Sequence, residues 1–351
     1  MNLEEVARLS GVSRSTVSRV VNNDARVSGA VRERVQAIIQ EHNYHPNAAA
    51  RSLASRRTRI LGLLIPQAAG TIFSDPFFPQ LIQGAVDSCN AADHNLLMLM
   101  NSSTDPQGME RMHRRVLGGH HLDGLVIASS VVDDPIITHL HETHYPFVLV
   151  GRHPRYHEIP SVDVDNRAAA QSAVVHLLQH GYRRIAFIGG LPNMIAAIDR
   201  YGGYVTGLQE AGVLPDPALA VHGHFTQAGG YAAMQTLLTQ RPDAVCVASD
   251  TMALGALHAA RDAGCRVPED LAIIGFDNIP AAAGVQPSLT TVAQPIAELG
   301  REAIRILLER ITQPDYPAIH LRLPTHLILR RSCGCPESAA SSPLGGDRPP
   351  L

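Results

Sequence analysis

LEEVARLSGVSRSTVSRVVN, residues 3–22, is the stretch from which the rest of the chain is read. Leu3, Val6, Ala7 and Leu9 recur at helical spacing, Asn2 can cap the first turn, and Glu5 completes a capping box. Gly11 ends that helix after Ser10, and Ser13 opens a second helix whose buried face is Val17, Val20 and Val21. Two short helices about a tight glycine turn make a helix-turn-helix. In such a unit the second helix enters the major groove and offers its first side chains to base edges. Here those are Arg14, Ser15, Thr16, Ser18 and Arg19, donors and small hydroxyls with no carboxylate among them.

Working outward, a third helix is expected from Ser28 to His42, with Val31, Val35, Ile38 and Ile39 on one face. Tyr44, His45 and Pro46 lead into an alanine-rich segment, NAAARSLAS, from Asn47 to Ser55. That segment is too short to be a stable helix alone in water. Charge is unevenly spread. Residues 1–60 carry ten arginines against Glu4, Glu5, Asp24, Glu33 and Glu41, a net +5, which leaves −8 for the remainder of a chain of net charge −3. A basic end on an acidic body suits a protein that meets phosphate at one end only.

From Ile60 the texture changes. ILGLLIP is a short apolar run of the kind buried on both sheet faces. Strands at NLLMLMN, GLVIAS, FVLVG, RIAFIGG, AVCVAS and LAIIGF alternate with helices, which predicts right-handed βαβ units and parallel sheets. A chain of 351 residues suits a small headpiece plus a two-lobed core. The fold class expected is therefore α/β: an N-terminal helix-turn-helix headpiece plus two doubly wound parallel-sheet lobes.

EVARLSGVSRSTVSRVVN, VRERV, YHPNAAARSLASRRT and ILGLLIP resemble the headpiece and hinge of the LacI/GalR family of bacterial transcriptional regulators. LDGLVI, GYRRIAFIGG, SDTMALGALHAARDAG, RVPEDLAIIGFDNIP and SLTTVAQPIAELGREA continue the likeness in family order over nearly the whole chain. The resemblance implies a periplasmic-binding-protein-like core and the following division. Residues 1–46 form the headpiece, 47–59 the hinge and linker, and 60–332 the core. Its first lobe takes 60–160 and 288–322 and its second 161–287 and 323–332, with 333–351 a disordered tail. It implies direct base readout by Arg14, Ser15 and Arg19, the arginines suiting bidentate bonding to guanine. Thr16, Ser18, Asn22 and Arg32 are then backbone contacts that set register. In the hinge, Asn47, Ala50, Arg51 and Leu53 would serve the minor groove, with Leu53 as a wedge between base pairs. The expected partners are a palindromic double-stranded operator, a second copy of the chain in a homodimer, and a small effector, a sugar or glycoside before a purine or nucleoside.

In open α/β sheets ligands bind beyond the carboxyl ends of the strands. There lie Phe77, Phe78, Arg152, Arg200, Asp250 and Asp277, an apolar face with guanidiniums and carboxylates that suits a polyol. The resemblance matches Arg200 and Asp250 to the family's main ligand-contacting pair, and Phe77 or Phe78 to its aromatic wall. Asp277 reads equally as a cap in the GFDN turn, and Asp165-Asn166 as an N-cap or as cleft residues. IDRYGGY departs from the common family pattern at Tyr201 and its glycines, which leaves the local ligand geometry open.

Other classes fit less well. There is no apolar run long enough to span a membrane and no signal peptide, so a cytoplasmic protein is expected and not a transport-type solute-binding protein. No G-x-S-x-G, Walker or G-x-G-x-x-G motif follows a strand, so neither catalysis nor a cofactor is expected. The five cysteines should be reduced thiols. Cys333-Gly334-Cys335 lacks a second ligand pair, and His139, His141 and His144 lack metal-helix spacing, so no metal site is expected.

Overall fold

The computed structural model of the chain describes residues 1–21, 24–44, 57–101, 121–128, 131–313, 317–335 and 342–343. The readings made for Asn22, Asn47, Ala50, Arg51 and Leu53 lie outside these residues. Two compact units divide at Arg59/Ile60. No helix among the described residues is long and apolar enough to cross a membrane.

The first unit holds α1 (Leu3–Ser10), α2 (Arg14–Val21) and α3 (Gly29–Glu41). Asn2 accepts from the amides of Glu4 and Glu5, and the Glu5 carboxylate accepts from the Asn2 amide at 2.8 Å, completing the capping box. Gly11 closes α1 in the left-handed region at φ 64°, where a side chain would be strained. Ser13 Oγ then accepts from the Thr16 amide at 3.1 Å at the start of α2. Val6, Ala7, Val17, Val20, Val35 and Tyr44 form the core. Leu9 is not part of it and is 43% exposed. The stripe through Leu3, Val6 and Ala7 ends instead on Ser10, which is buried because its hydroxyl donates to the Val6 carbonyl at 2.6 Å.

The second unit is built on two sheets. The first has strand order β11-β5-β4-β3-β1-β2 and is parallel throughout: Ile60–Ala68 (β1), Asn95–Asn101 (β2), Gly124–Ala128 (β3), Phe147–Val150 (β4), Ser161–Val164 (β5) and His320–Leu323 (β11). Both faces are covered. Leu61, Leu63 and Ile65 of β1 pack with the helices Phe77–Ala91 and Ile296–Thr312, while Leu64 packs with Ile136, Ile137 and Leu140. Each such fully buried side chain contributes about 1.5–3 kcal/mol.

The second sheet has order β13-β12-β10-β9-β8-β6-β7: Ile185–Gly189 (β6), Ala220–His222 (β7), Ala244–Val247 (β8), Ala272–Asp277 (β9) and Thr290–Ala293 (β10) are parallel. His326–Ile328 (β12) runs antiparallel to β10, and Ser342–Pro343 (β13) runs antiparallel to β12. Helix Asn166–Gln179 packs with Ile195–Glu210, and Gln227–Leu238 with Asp250–Asp262.

The lobe boundaries differ from those expected. Residues 161–164 pair with β4 and β11 in the first lobe, so the first crossing follows Val164. Residues 290–293 pair with β9 and β12 in the second lobe, so the return falls between Ala293 and Ile296. Short strands such as SVDV and TTVA carry too little apolar length to reveal which sheet they join. The folded chain also runs past residue 332, because Cys333 and Cys335 are buried in the core of the second lobe.

Candidate effector cleft and nucleic-acid interface

Between the two lobes lies a partly open cavity lined by residues of both. Phe77 and Phe78, at the start of the helix Phe77–Ala91, form one wall and meet edge to face at 5.3 Å. Phe225, Leu191, Met194 and Ile195 of the second lobe add apolar surface. Phe225 can turn inward because residue 190 is glycine: a Cβ there would stand 1.9 Å from its ring.

Arg200 is the electrostatic centre. It is 6% exposed, donates from Nε to Asn166 Oδ1 at 2.8 Å and from Nη1 to the Ala248 carbonyl at 2.5 Å, and sits 3.6 Å over the Phe276 ring. Burial weakens its hold on the proton, and Asp277, Asp163, Asp75 and Asp250 around it act in the opposite sense. Asn166 in turn donates to Asp163 Oδ1 at 3.0 Å, forming a relay from β5 of the first lobe to Arg200 of the second. Asp277 lies 3.8 Å from Arg200 and accepts from Gln294 Nε2 at 2.5 Å. Its backbone is held at φ 118°, a conformation that L-residues rarely adopt and that clusters at ligand sites. Loss of water pushes these acids upward: Asp163 to about 6, Asp250 to about 7, Asp75 above its ordinary value and Asp277 well above it.

In the headpiece, Arg14, Ser15 and Arg19 are exposed on α2, and Thr16 and Ser18 are half-buried beside them. Arg14 Nη1 reaches Glu4 Oε1 at 3.3 Å, a surface pair that water screens and a phosphate or base can displace. Ser13 links to both Ser15 and Thr16 at 2.8 Å, which orders the hydroxyls at the start of the helix.

The first residues of the chain, 2–47, match the model for bacterial regulatory proteins of the lacI family, and residues 174–333 match a periplasmic binding protein-like domain. The HTH-type transcriptional regulator CelR of Thermobifida fusca is 39% identical over 337 residues, 94% of this chain and 97% of that one. The chain belongs to the lacI family. A solved CelR–cellobiose complex covers 95% of this regulator and 99% of that chain, at 37% identity and a TM-score of 0.75. The lac repressor dimer bound to operator and an anti-inducer is similar over 95% of the regulator and 99% of that chain, at 25% identity and a TM-score of 0.83. The regulator thus shares the two-part plan of a family of transcription factors and not of enzymes.

Against this frame, four of the cleft residues read from sequence are brought together: Phe77, Phe78, Arg200 and Asp277. Two are not. Asp250 is fully buried beneath the cavity, where its carboxylate accepts from the Ile279 amide at 3.0 Å and the Thr291 hydroxyl at 2.7 Å. Its work in this lacI-family core is to tie the helix Asp250–Asp262 to neighbouring strands. Arg152 points to Asp199 of the second lobe and forms a two-pronged pair at 2.5 and 2.7 Å. Asp165 caps its helix by accepting from the Ala168 amide at 2.9 Å, while its neighbour Asn166 enters the cleft. Sequence reading missed Asp75, Asp163, Phe225 and Gln294 as lining residues. Asp163 sits in a strand too short to register, and Gln294 at a crossing placed several residues too early. In the headpiece, Arg32 donates to the Asp24 carbonyl at 2.7 Å, so it braces the turn before α3 and is not simply presented to a phosphate.

Proposed function

We propose that this lacI-family regulator is a dimeric repressor controlled by a sugar or glycoside bound between its lobes. The observation that carries the reading is the composition of the cleft: the Phe77–Phe78 wall is on one side, and Asp163, Asp277 and Gln294 gather about Arg200 on the other. A pyranose offers apolar C–H faces to an aromatic ring and hydroxyl donors to carboxylates, so both halves of the site find a partner on one ligand. The cellobiose bound by CelR, its relative, points to a β-linked glucoside as the first compound to test.

Control follows by linkage. A ligand that touches both lobes favours the arrangement in which the two half-sites are correctly spaced, and it shifts the population only by its differential affinity. At the other end, Arg14, Ser15 and Arg19 read bases while Thr16 and Ser18 contact phosphates, and two-fold symmetry calls for a palindromic operator. A second reading, a purine or nucleoside effector, draws on the same aromatic residues, since Phe77 and Phe225 would stack a base equally well.

Calorimetric titration with cellobiose, gluco-oligosaccharides and free purines decides between them. Saturable binding of a glycoside that is weakened at least tenfold in Asp277→Asn supports the proposal. Binding of a purine and no sugar overturns it in favour of the second reading. Operator titrations with and without the bound compound then give the sign of control.

A further inference from the structure

Away from the cleft, His176, His180 and Cys335 form a cluster of metal-ligand type among the described residues. The two histidines stand four apart at the carboxyl end of the helix Asn166–Gln179, on one face of it. Their ring centroids are 4.5 Å apart. Cys335 arrives from the end of the chain through a left-handed turn at Gly334, φ 86°. Its Sγ lies 3.5 Å from His176 Nε2 and 3.3 Å from His180 Nε2. All three ligand atoms fall within 4.8 Å of one another.

These spacings suit one particular class of ion. In a tetrahedral zinc site, with Zn–S about 2.3 Å and Zn–N about 2.0–2.1 Å, sulfur and nitrogen stand roughly 3.5 Å apart. One thiolate and two imidazoles, with no carboxylate, select zinc-type ions over calcium or magnesium. The approach of Cys335 is set before any metal arrives. Ser332 Oγ donates to the Ile273 carbonyl at 2.6 Å and accepts from the Thr290 amide at 2.8 Å, and the Tyr182 hydroxyl donates to the Cys333 carbonyl at 3.4 Å. Cys335 is buried, His176 half-buried and His180 exposed, so the cluster is open to water on one side. Cys333 accepts from the Thr290 hydroxyl at 3.0 Å and its side chain also hydrogen-bonds that of Cys335. The pair on the helix escaped sequence reading because 155 residues separate His180 from Cys335.

We propose that His176, His180 and Cys335 form a site for a zinc-type divalent ion, with water as fourth ligand, which staples the end of the chain to the second lobe. On binding, the Cys335 thiol gives its proton to solvent as the sulfur–metal bond forms.

The test uses the full chain, reduced and stripped with chelator, then titrated with cobalt(II). One equivalent should produce the near-ultraviolet thiolate-to-cobalt band and the visible spectrum of a tetrahedral ion. Zinc should displace it and raise Tm further with the logarithm of its free concentration above saturation. Cys335→Ser should abolish the thiolate band and weaken zinc about a hundredfold or more. His180→Asn, at an exposed position, should weaken zinc with the metal-free fold intact, and Cys333→Ser should keep the thiolate band. Stoichiometric binding that survives in both Cys335→Ser and His180→Asn would place the ion on other histidines and overturn the proposal. So would no binding at all, or a Cys333–Cys335 disulfide persisting in reducing buffer.

Discussion

Arg152 of the first lobe and Asp199 of the second meet across the mouth of the cleft in a two-pronged ion pair. Asp75 and Thr251 make a second link of the same kind, hydroxyl to carboxylate at 3.2 Å, and the Val132 amide donates to the Asn193 carbonyl at 2.8 Å. These groups hold the lobes together; Asp75 also lines the cleft cavity, whereas Arg152 and Asp199 do not. Arg152 is thus engaged as a latch between the lobes. Arg152→Ala and Asp199→Ala should each weaken effector binding several-fold, and the double variant should be no worse than either alone. A coupling of about 1–2 kcal/mol in a double-mutant cycle is expected. Additive losses would show that the pair does not act as a unit.

Asp250 and Asp277 should separate cleanly. Asp277→Asn keeps the shape of the cleft and should reduce effector affinity at least tenfold with a small change in Tm. Asp250→Ala strands the Ile279 amide and the Thr291 hydroxyl in the interior, a loss of about 2–4 kcal/mol. Thermal melts beside ligand titrations check both. An Asp250→Ala protein that melts normally but cannot bind would restore Asp250 to the ligand site.

The buried acids set a pH dependence of stability. Asp163 titrates near 6 in the folded core and near 3.8 when unfolded, so between those values the native state binds more protons. Its contribution is fully present below about pH 4 and is lost as pH rises through about 6. Asp163→Asn removes that loss. The stability of the variant relative to the parent should therefore climb by about 2–3 kcal/mol from pH 4 to pH 7, as read by urea unfolding. A flat difference across that range would show that Asp163 stays ionised throughout.

Gly190 and Phe225 offer a steric test. Gly190→Ala puts a methyl group into the Phe225 ring, which must swing away. Effector affinity should fall tenfold or more, and the double variant with Phe225→Ala should fold with the clash relieved.

In the headpiece, Arg14→Ala should alter which operator is preferred, by about 1–3 kcal/mol at one base position, as measured by selection from random sequence. Arg32→Ala should instead lower the melting temperature of the headpiece, since it frees the Asp24 carbonyl. A changed sequence preference in Arg32→Ala would make it a reader of bases.

Much of this was legible in the sequence because local rules decide it. The capping box at Asn2 and Glu5, the glycine turn at Gly11 and the long apolar strands depend on near neighbours, and they form as written. The cleft was legible only in part. Arg200 and Phe78 follow strands that are easy to see. Whether an aspartate after a strand faces the ligand or the interior depends on partners far along the chain. Asp250 turns inward because Thr291, 41 residues on, offers a hydroxyl, and Arg152 is diverted by Asp199, 47 residues on. No local pattern carries those distances.

The three passages of the chain between the lobes bear on how the molecule is made. The first lobe is completed only by Ile296–Thr312 and β11, and the second only by β10 and β12, so both wait for the last stretch of chain to leave the ribosome. The headpiece draws its whole core from residues 6–44. Vectorial synthesis therefore yields a finished DNA-reading end long before a sensing end exists, and a nascent chain must hold β1 to β9 unclosed until its final segment arrives.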